Sequence, residues 1–435
     1  MSKESGRVAP ERKSSGAVFI ICPYIIKGTH RIIEPEARLE EARGLAEAIQ
    51  LDVKGEEFFK QHTIRPSTYI SKGHVEELKG PIKALDVKLV FIDAAISPVQ
   101  QRNLEKIWNC KVIDRTGLIL EIFGARARTA EGRLQVELAA LTYQRSRLVR
   151  SWTHLERQRG GLGFIGGPGE TQLELDRRLI DERIMRIKKD LHKVQQTRTL
   201  HRKARKRVPY PVVALVGYTN AGKSTLFNRL TQAGVMAENI LFATLDPTMR
   251  RVTLPSRREI ILSDTVGFIS ELPTLLVAAF RATLEEVMEA DLILHVRDVS
   301  HPESKSQQED VLNVIAELGL EKAYEEHGIE VLNKADLLTR QNYKFLNTQA
   351  KRAANPPQCL VSALNGSGIE ELLAHIDTFL ARKDKPYSFS LPVAEGKKIA
   401  WLYAHGEVVE RKDDDTHAHL TVKLSSENKE KFDRV

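Results

Sequence analysis

Residues 217–224 read Gly-Tyr-Thr-Asn-Ala-Gly-Lys-Ser and match the pattern G-x-x-x-x-G-K-S. In such a loop two glycines let backbone N–H groups converge on phosphate oxygens. The apolar run 211–216 predicts a buried parallel strand before the loop, and residues 225–230 predict a helix after it. We therefore predict that Lys223 reaches the β- and γ-phosphates and that the Ser224 hydroxyl binds Mg²⁺. The predicted nucleotide contacts of this loop are Gly217, Tyr218, Thr219, Asn220, Ala221, Gly222, Lys223, Ser224 and Thr225.

A second motif lies at the end of the apolar run 260–262, where the chain reads Asp264-Thr265-Val266-Gly267. Asp-x-x-Gly alone occurs in many turns, but here it follows the phosphate loop by one helix and one strand. In that position the Asp264 carboxylate meets the Mg²⁺ shell through water, and the Gly267 N–H points at the γ-phosphate. The predicted catalytic residues are Lys223, Thr244 and Gly267.

The residues that are predicted to recognise the base of the nucleotide lie further along the chain, at Asn333-Lys334-Ala335-Asp336. In the pattern N-K-x-D the carboxylate of Asp336 accepts from the guanine N1 and N2 protons, which adenine does not present. Lys334 lays its stem along the base and Asn333 braces the loop. A last contact, a backbone N–H to guanine O6, is predicted at Ser362, Ala363 and Leu364. Four motifs in this order predict a GTPase of the translation-factor and Ras-like class.

Two residues refine the predicted mechanism. Phe268 stands where Ras-like enzymes carry the glutamine that orients the attacking water. A phenyl ring cannot orient water, so intrinsic hydrolysis is expected to be slow. Asn220 has two interpretations of equal weight. One is an amide that stabilises the loop, and the other is a ligand of K⁺, as in cation-activated GTPases.

The first switch segment is predicted at Phe242, Ala243, Thr244, Leu245 and Asp246. Thr244 is the preferred second Mg²⁺ hydroxyl, and Thr248 is its competitor.

The positive charge of the chain is concentrated in one segment. The net charge is +8, and residues 126–207 hold 21 Lys and Arg against 9 Asp and Glu. The rest of the 435 residues therefore carries about −4, and the surplus predicts a local contact with nucleic acid. Three scattered cysteines indicate buried thiols in a reducing cytoplasm. No apolar stretch approaches a membrane span, so we expect a cytoplasmic protein without membrane insertion. A peripheral membrane association is left open.

The basic segment shows two helical seams. The seam positions are Leu134, Leu138, Leu141, Leu148 and Leu155, then Ile180, Ile184, Ile187, Leu191 and Val194. This spacing predicts two long helices that pack as an antiparallel hairpin. The alternative is a helical linker with a solvated charged face.

The link between the two helices is rich in glycine and contains Phe164. Its Gly161–Gly166 stretch matches G-x-G-x-x-G, but no strand precedes it, so a dinucleotide site is rejected. A glycine-rich loop with one aromatic fits close approach to RNA, and its alternative is a disordered connection. The predicted RNA contacts are Arg157, Arg159, Phe164, Arg177 and Arg178.

The flanking parts complete a predicted multidomain α/β fold. Strand runs at 18–22, 89–92 and 112–113 alternate with helix patterns at 38–50, from 73 and at 98–108, which predicts a parallel α/β domain with less regular chain over residues 51–70. Asp93 and Asp114 follow predicted strands and are interpreted as caps of the strand ends. A second nucleotide site is conceivable at this position, but no glycine-rich phosphate loop supports it. The tail predicts a helix at 400–403, strands at 407–409 and 419–424, and a helix from 425 in a small α+β domain. The predicted domain limits are 1–16 for a disordered N-terminus, 17–125 for the N-terminal α/β domain, 126–207 for the hairpin, 208–383 for the GTPase domain and 384–435 for the small C-terminal domain.

Several of these stretches together resemble the bacterial HflX family of translation-associated GTPases. The resemblance covers about residues 17–382 and is loose beyond them. It is carried by Val112-Ile113-Asp114-Arg115-Thr116-Gly117, Gly167-Pro168-Gly169-Glu170-Thr171-Gln172, Gly217-Tyr218-Thr219-Asn220 and Phe242-Ala243-Thr244-Leu245-Asp246-Pro247-Thr248.

The resemblance implies binding to the large ribosomal subunit and its rRNA, with the tip of the hairpin near the peptidyl-transferase region. It also implies dissociation of stalled or idle ribosomes under stress, with GTP controlling retention and release, and a monomer off the ribosome. A second hypothesis makes the chain an assembly or rRNA-remodelling factor with the same GTPase domain. A third makes it a stand-alone ATPase, which competition binding on the N-terminal domain tests.

Overall fold

The computed structural model describes most of the chain. Its contacts divide it into two compact units, the first of which ends at Leu191 and takes in Phe242. In the described part no helix is long and apolar enough to cross a membrane. The described residues are 16–26, 34–158, 168–205, 210–232, 242, 248–270, 287–352, 356–382, 384–424 and 426–433.

The N-terminal part forms the predicted parallel α/β sheet. Four parallel strands stand in the order β2-β1-β3-β4, and the core beneath them includes Ile21, Val90 and Leu104. The strands are β1 Ala17–Ile25, β2 Asp52–Gln61, β3 Leu89–Ile92 and β4 Lys111–Asp114. The helices are α1 Pro35–Ala48, α2 Lys72–Ala84, α3 Pro98–Trp108 and α4 Arg115–Arg126.

One prediction for this sheet was wrong. We expected less regular chain over residues 51–70, but β2 pairs in parallel with β1 along nine residues of the latter. The strand reads Asp-Val-Lys-Gly-Glu-Glu-Phe-Phe-Lys-Gln, which offers no continuous apolar run. It lies at the edge of the sheet, so most of its side chains stay partly exposed and charges are tolerated. Helix α4 was not predicted either.

The predicted hairpin is present as two long helices, α5 Ala130–Gln158 and α6 Pro168–Arg205. Ion pairs join Arg145 to Asp181 at 2.9 Å and Arg183 to Glu137 at 2.7 Å, as antiparallel packing requires. The seam of α6 is buried at its centre as predicted, at Ile184, Ile187 and Leu191.

The predicted seam of α5 was out of phase. Leu134 and Leu138 are only half-buried, whereas Val136 and Ala139 are buried. Helix α5 also packs on α3 and α4. Its most buried face is therefore not the heptad face alone.

A six-stranded sheet carries the motifs. Its order is β10-β9-β8-β5-β7-β6, with β6 antiparallel to β7 and the other pairs parallel. The strands are β5 Val212–Gly217, β6 Thr248–Thr253, β7 Glu259–Asp264, β8 Leu292–Asp298, β9 Gly328–Asn333 and β10 Gln358–Leu360. The helices are α7 Lys223–Thr231, α8 Ser304–Glu317, α9 Glu321–His327, α10 Arg340–Arg352 and α11 Ile369–Ala381, with a 3-10 turn at Ala335–Leu337.

The tail folds on a small antiparallel sheet in the order β11-β13-β12. Its elements are β11 Lys385–Pro392, α12 Gly396–His405, β12 Glu407–Asp413, β13 His417–Leu424 and α13 Ser426–Phe432. Two strands were predicted, and the prediction missed β11. That strand contains two prolines and lies at an edge, where the ladder tolerates them. The domain limits given above stay predictions.

Candidate nucleotide site

Strand β5 delivers the phosphate loop to the edge of the sheet. Its last residue, Gly217, pairs with Val296 of β8 and has φ +152°. A Cβ at this glycine would lie 2.2 Å from the carbonyl oxygen of Val296, far inside van der Waals contact. At the other end of the loop Gly222 has φ +90°. Both positions therefore require glycine, and this explains the spacing of the motif.

Lys223 is the buried cation of the loop. Its ammonium donates to the carbonyl oxygens of Gly217 at 3.0 Å and Tyr218 at 2.7 Å. Burial lowers its pKa to about 8, and the Asp264 carboxylate acts in the opposite direction. The ammonium is therefore still mostly protonated at pH 7 and can pair with phosphate oxygens.

The oxygen atoms for a metal ion are brought together by α7 and β7. The Ser224 hydroxyl donates to Asp264 Oδ2 at 2.8 Å, so a hydroxyl and a carboxylate share one small volume beside the phosphate loop. Hard oxygen ligands of this kind suit Mg²⁺. Thr244 lies outside the described residues, and its role stays a prediction. Thr248 opens β6, where it pairs in register with Asp264.

The Asp-x-x-Gly loop is docked on the phosphate loop through its backbone. The Phe268 N–H donates to the Gly217 carbonyl at 3.1 Å, and the Thr219 N–H donates to the Phe268 carbonyl at 2.6 Å. The Phe268 residue is 2% exposed. A Cβ at Gly267 would come within 2.9 Å of Thr219 and 3.1 Å of the Lys223 ammonium. In this arrangement no side chain of residues 267 or 268 is available to orient a water molecule.

Asn333 joins the phosphate loop to the loops that are predicted to read the base. Its Nδ2 donates to the Ala221 carbonyl at 2.8 Å, and its Oδ1 accepts from the Ala363 N–H at 3.0 Å. The side chain is almost completely buried. Asn333 therefore links three separate segments of the chain.

The Asp336 carboxylate, which is predicted to read guanine, is also held in place. The Ser362 hydroxyl donates to Asp336 Oδ1 at 2.5 Å. Lys334 has φ +63° and forms an ion pair with Asp298 Oδ2 at 2.7 Å. These contacts orient both side chains that the sequence assigned to the base.

Two residues, Asp298 and Arg229, and one contact of the predicted Tyr218 were missed by the sequence interpretation. Asp298 ends β8 at the same sheet edge as the motifs, and that strand-end position was the signal available for it. The Arg229 guanidinium donates to the Ala363 carbonyl at 3.1 Å and also to the Leu364 carbonyl. The Tyr218 hydroxyl accepts from the Ser270 N–H at 2.8 Å. Neither of the latter two follows from a motif.

The other predicted loop residues are placed as follows. Asn220 is exposed with φ +59°, a conformation that asparagine tolerates, and its amide makes no hydrogen bond to the described residues. The Thr265 hydroxyl donates to the Leu215 carbonyl at 2.6 Å, and Val266 is buried. Phe242 belongs to the first unit, where its ring packs edge-on against Phe123. Ala243, Leu245 and Asp246 lie outside the described residues.

The predicted RNA contacts are only partly described. Arg177 and Arg178 are exposed on α6, and Arg177 lies 3.9 Å from Asp181. Arg159 and Phe164 lie outside the described residues, as does the side chain of Arg157.

Both strand-end aspartates of the first unit are engaged with protein groups. Asp114 Oδ1 accepts from the Gly117 N–H at 2.8 Å and so caps α4. It also accepts from the Tyr143 hydroxyl at 2.5 Å, while Oδ2 pairs with Arg147 at 2.6 Å, which fixes α5 to the end of β4. Asp93 is completely buried, and although burial opposes this, Arg115 and Arg38 hold its pKa below the usual range. Both residues therefore serve structure.

The six-stranded sheet, the phosphate loop with its buried lysine, the paired Ser224 and Asp264, and the held Asp336 define a P-loop GTPase. Sequence models of known families match the chain in four consecutive stretches. Their descriptions are GTP-binding GTPase N-terminal (36–124), GTP-binding GTPase Middle Region (126–205), 50S ribosome-binding GTPase (212–334) and HflX C-terminal domain (346–435).

Complete relatives agree with these matches. GTPase HflX of Magnetococcus marinus is 50% identical over 387 residues, which cover 89% of this chain and 88% of the relative. GTPase HflX of Escherichia coli is 46% identical over 338 residues, 78% of each chain. GTPase HflX of Caldanaerobacter subterraneus is 42% identical over 399 residues, 92% and 90% of the two chains. The chain belongs to the HflX family and is a GTP-hydrolysing enzyme.

Proposed function

We propose that this GTPase associates with the ribosome, binds the large subunit and dissociates stalled or idle ribosomes, with GTP hydrolysis controlling its release. Two features support the proposal. The family model over residues 212–334 is described as a 50S ribosome-binding GTPase. The helical hairpin lies in the segment with a surplus of twelve positive charges, as a surface that approaches rRNA requires.

The observation that carries the proposal is the burial of Phe268. A self-sufficient GTPase of the Ras type places a water-orienting amide at this position. Here the backbone of Phe268 is bonded to the phosphate loop and its ring is removed from solvent. The attacking water must be positioned by a group from elsewhere. If the surface of a binding partner supplies this group, GTP hydrolysis is fast only while the protein is in contact with that partner.

Different residues of the site are proposed to bind the phosphates, the base and the metal ion of the nucleotide. Backbone N–H groups at the start of α7 and the Lys223 ammonium bind the phosphates. The Asp336 carboxylate, oriented by Ser362, accepts from guanine, and Lys334 covers the base. Ser224, and Asp264 through water, would hold Mg²⁺, which would supply positive charge against the β- and γ-phosphates. In this proposal the Gly267 N–H and Thr244, which lies outside the described residues, order against the γ-phosphate, so loss of that phosphate would release both switch segments.

We assign Asn220 to an activating K⁺. In the described structure its amide stabilises no neighbouring group, and it is exposed in the phosphate loop, so its amide oxygen is accessible to a cation. Hydrolysis by the free enzyme is therefore expected to be faster in K⁺ than in Na⁺. Single-turnover rates at equal ionic strength measure this, with Asn220→Ala as the variant in which the difference disappears. Equal rates in the two salts for the unaltered enzyme would remove K⁺ from the mechanism.

Sedimentation of ribosomes tests the proposed function. Added with a non-hydrolysable GTP analogue, the protein is expected to convert intact ribosomes into subunits and to sediment with the large one. Lys223→Ala, which loses the phosphate-binding ammonium, is the matched control and is expected to leave ribosomes intact. Intact ribosomes with the unaltered protein would contradict the proposal. Association confined to immature large particles would favour the assembly or rRNA-remodelling role.

A further inference from the structure

Helix α10 differs in charge from the rest of the GTPase segment. Residues 208–383 contain 17 Lys and Arg against 22 Asp and Glu. The thirteen residues of α10 include four of those cations and no acidic residue. A helix on an otherwise acidic domain therefore presents charge of a single sign. Ordinary solvated faces mix both signs, so this helix needs a separate explanation.

The basic residues are arranged along one side of the helix. Arg340, Lys344 and Lys351 recur at i, i+4 and i+11, which places them within about 40° of one another and along about 16 Å of the axis. All three are exposed. Leu346 and Ala350 lie about 100–140° around the helix from the middle of the stripe and pack with a small core cluster of the domain. The packing therefore fixes the helix with its basic stripe toward solvent.

These cations have no counter-charge on the protein. Within the part of the chain that the structure describes, Arg340, Lys344, Lys351 and Arg352 form no ion pair, whereas Arg251 elsewhere in the same domain pairs with Glu259. Neutralisation of the stripe must come from solvent ions or from a bound anion. A polyanion releases those ions when it binds, and the release favours association.

An exposed aromatic residue accompanies the stripe. Phe345 is 66% exposed and lies about 20° around the helix from Arg352 and about 100–140° from the three residues of the stripe. The side chain of Leu337, on the turn before the helix, is likewise exposed. Basic residues interleaved with an exposed ring form the arrangement that binds single-stranded nucleic acid, in which cations follow the backbone and the ring stacks on a base.

We infer that α10 is a second RNA-binding surface, separate from the hairpin, on which Arg340, Lys344 and Lys351 bind phosphates and Phe345 stacks on an unpaired base. The inference rests on the proposed association with the ribosome for its biological setting. RNA is favoured over an acidic protein because α10 contains no acidic residue and carries an exposed ring beside the stripe. Through this surface the GTPase domain binds RNA independently of the hairpin.

The test compares the full-length chain with the triple variant Arg340→Gln, Lys344→Gln, Lys351→Gln. A second triple, Lys305→Gln, Lys322→Gln, Lys397→Gln, removes the same charge from exposed sites outside α10. Binding of a fluorescein-labelled oligouridine of about twelve nucleotides is measured over a series of KCl concentrations. Loss of three phosphate contacts is expected to weaken binding about 100-fold at 0.1 M salt and to reduce the salt slope by about 2. The second triple is expected to bind like the unaltered chain.

Phe345→Ser is expected to weaken oligouridine binding about tenfold with an unchanged salt slope. Basal GTP hydrolysis, unaltered in all variants, shows that each has folded. Equal RNA binding by the two triples would overturn the inference. If the α10 triple bound oligouridine normally but lost affinity for purified large subunits, the partner would be an acidic protein and the RNA assignment would be wrong. Failure of the unaltered chain to dissociate ribosomes would contradict the proposed function and leave the oligouridine result standing.

Discussion

Asp336→Asn is expected to change the preferred base from guanine to xanthine. The aspartate carboxylate is predicted to accept two hydrogen bonds from guanine, one from N1–H and one from the N2 amine. An asparagine amide keeps one acceptor and turns its NH₂ group toward the N2 donors, so two charge-assisted hydrogen bonds are lost. At about 1.5–3 kcal/mol each, the loss amounts to a fall of about 10²-fold to 10⁴-fold in affinity for GTP and GDP. Xanthine carries a carbonyl oxygen in place of the N2 amine, and the new NH₂ group can donate to it.

The structure explains why the substitution should leave the pocket intact. Asp336 Oδ1 accepts from the Ser362 hydroxyl at 2.5 Å, and an asparagine Oδ1 can accept the same bond. Asn333 continues to link Ala221 and Ala363, since it makes no contact with the altered atom. Loss of guanine affinity without gain for xanthine would therefore indicate a collapsed loop. Retention of guanine preference would show that Asp336 does not read the base.

The change of base preference is measured by equilibrium binding of fluorescent GDP and fluorescent xanthosine diphosphate to the unaltered protein and to the variant. Ser362→Ala is the matched control, because it frees the carboxylate without changing its charge. We expect this control to bind guanine more weakly and to keep guanine over xanthine. The pair of variants separates the chemistry of the carboxylate from its orientation.

The sequence predicted those parts of the fold in which local pattern and tertiary environment agree. The run 211–216 became β5, and α3 spans the predicted residues 98–108, because a Ser97 capping box begins the helix there. Strand ends carried the motif residues to one edge of the sheet, so Ser224 and Asp264 meet although forty positions separate them. Motif order was sufficient for that prediction, since parallel strands end together.

The elements that were not predicted from the sequence are those whose structure depends on the elements that they pair with or pack against. Strands β2 and β11 are edge strands with charged or proline-containing sequences, and their backbones pair with strands that no local pattern identifies. The buried face of α5 is set by α3 and α4, which a single-helix periodicity cannot include. Arg229 contributes to the base-reading loop through contacts across more than 130 positions, and no motif records such a contact.

Gly222→Ala is expected to abolish tight nucleotide binding by disturbing two loops at once. The residue has φ +90°, and a Cβ there would lie 2.2 Å from Asn333 Nδ2. The clash displaces the side chain that donates to Ala221 and accepts from Ala363. Strain at a non-glycine residue costs about 1–3 kcal/mol, and a loss of two buried hydrogen bonds adds about 1 kcal/mol each. The sum, about 3–5 kcal/mol, corresponds to a loss of about 10²-fold to 10⁴-fold in affinity for GDP.

A double-mutant cycle with Asn333→Ala distinguishes this coupling from simple backbone strain. Removal of the Asn333 amide already breaks both links, so Gly222→Ala should add only the strain when introduced second. We expect the two free-energy changes in GDP binding, measured by titration calorimetry, to sum to clearly more than that of the double variant. Additive changes would show that the Cβ acts on the phosphate loop alone. Gly124→Ala, in α4 with no atom within 4 Å of the new Cβ, is the matched control and should leave GDP binding unchanged. A single methyl group placed in the phosphate loop thus tests whether Asn333 makes phosphate recognition and base recognition one cooperative unit.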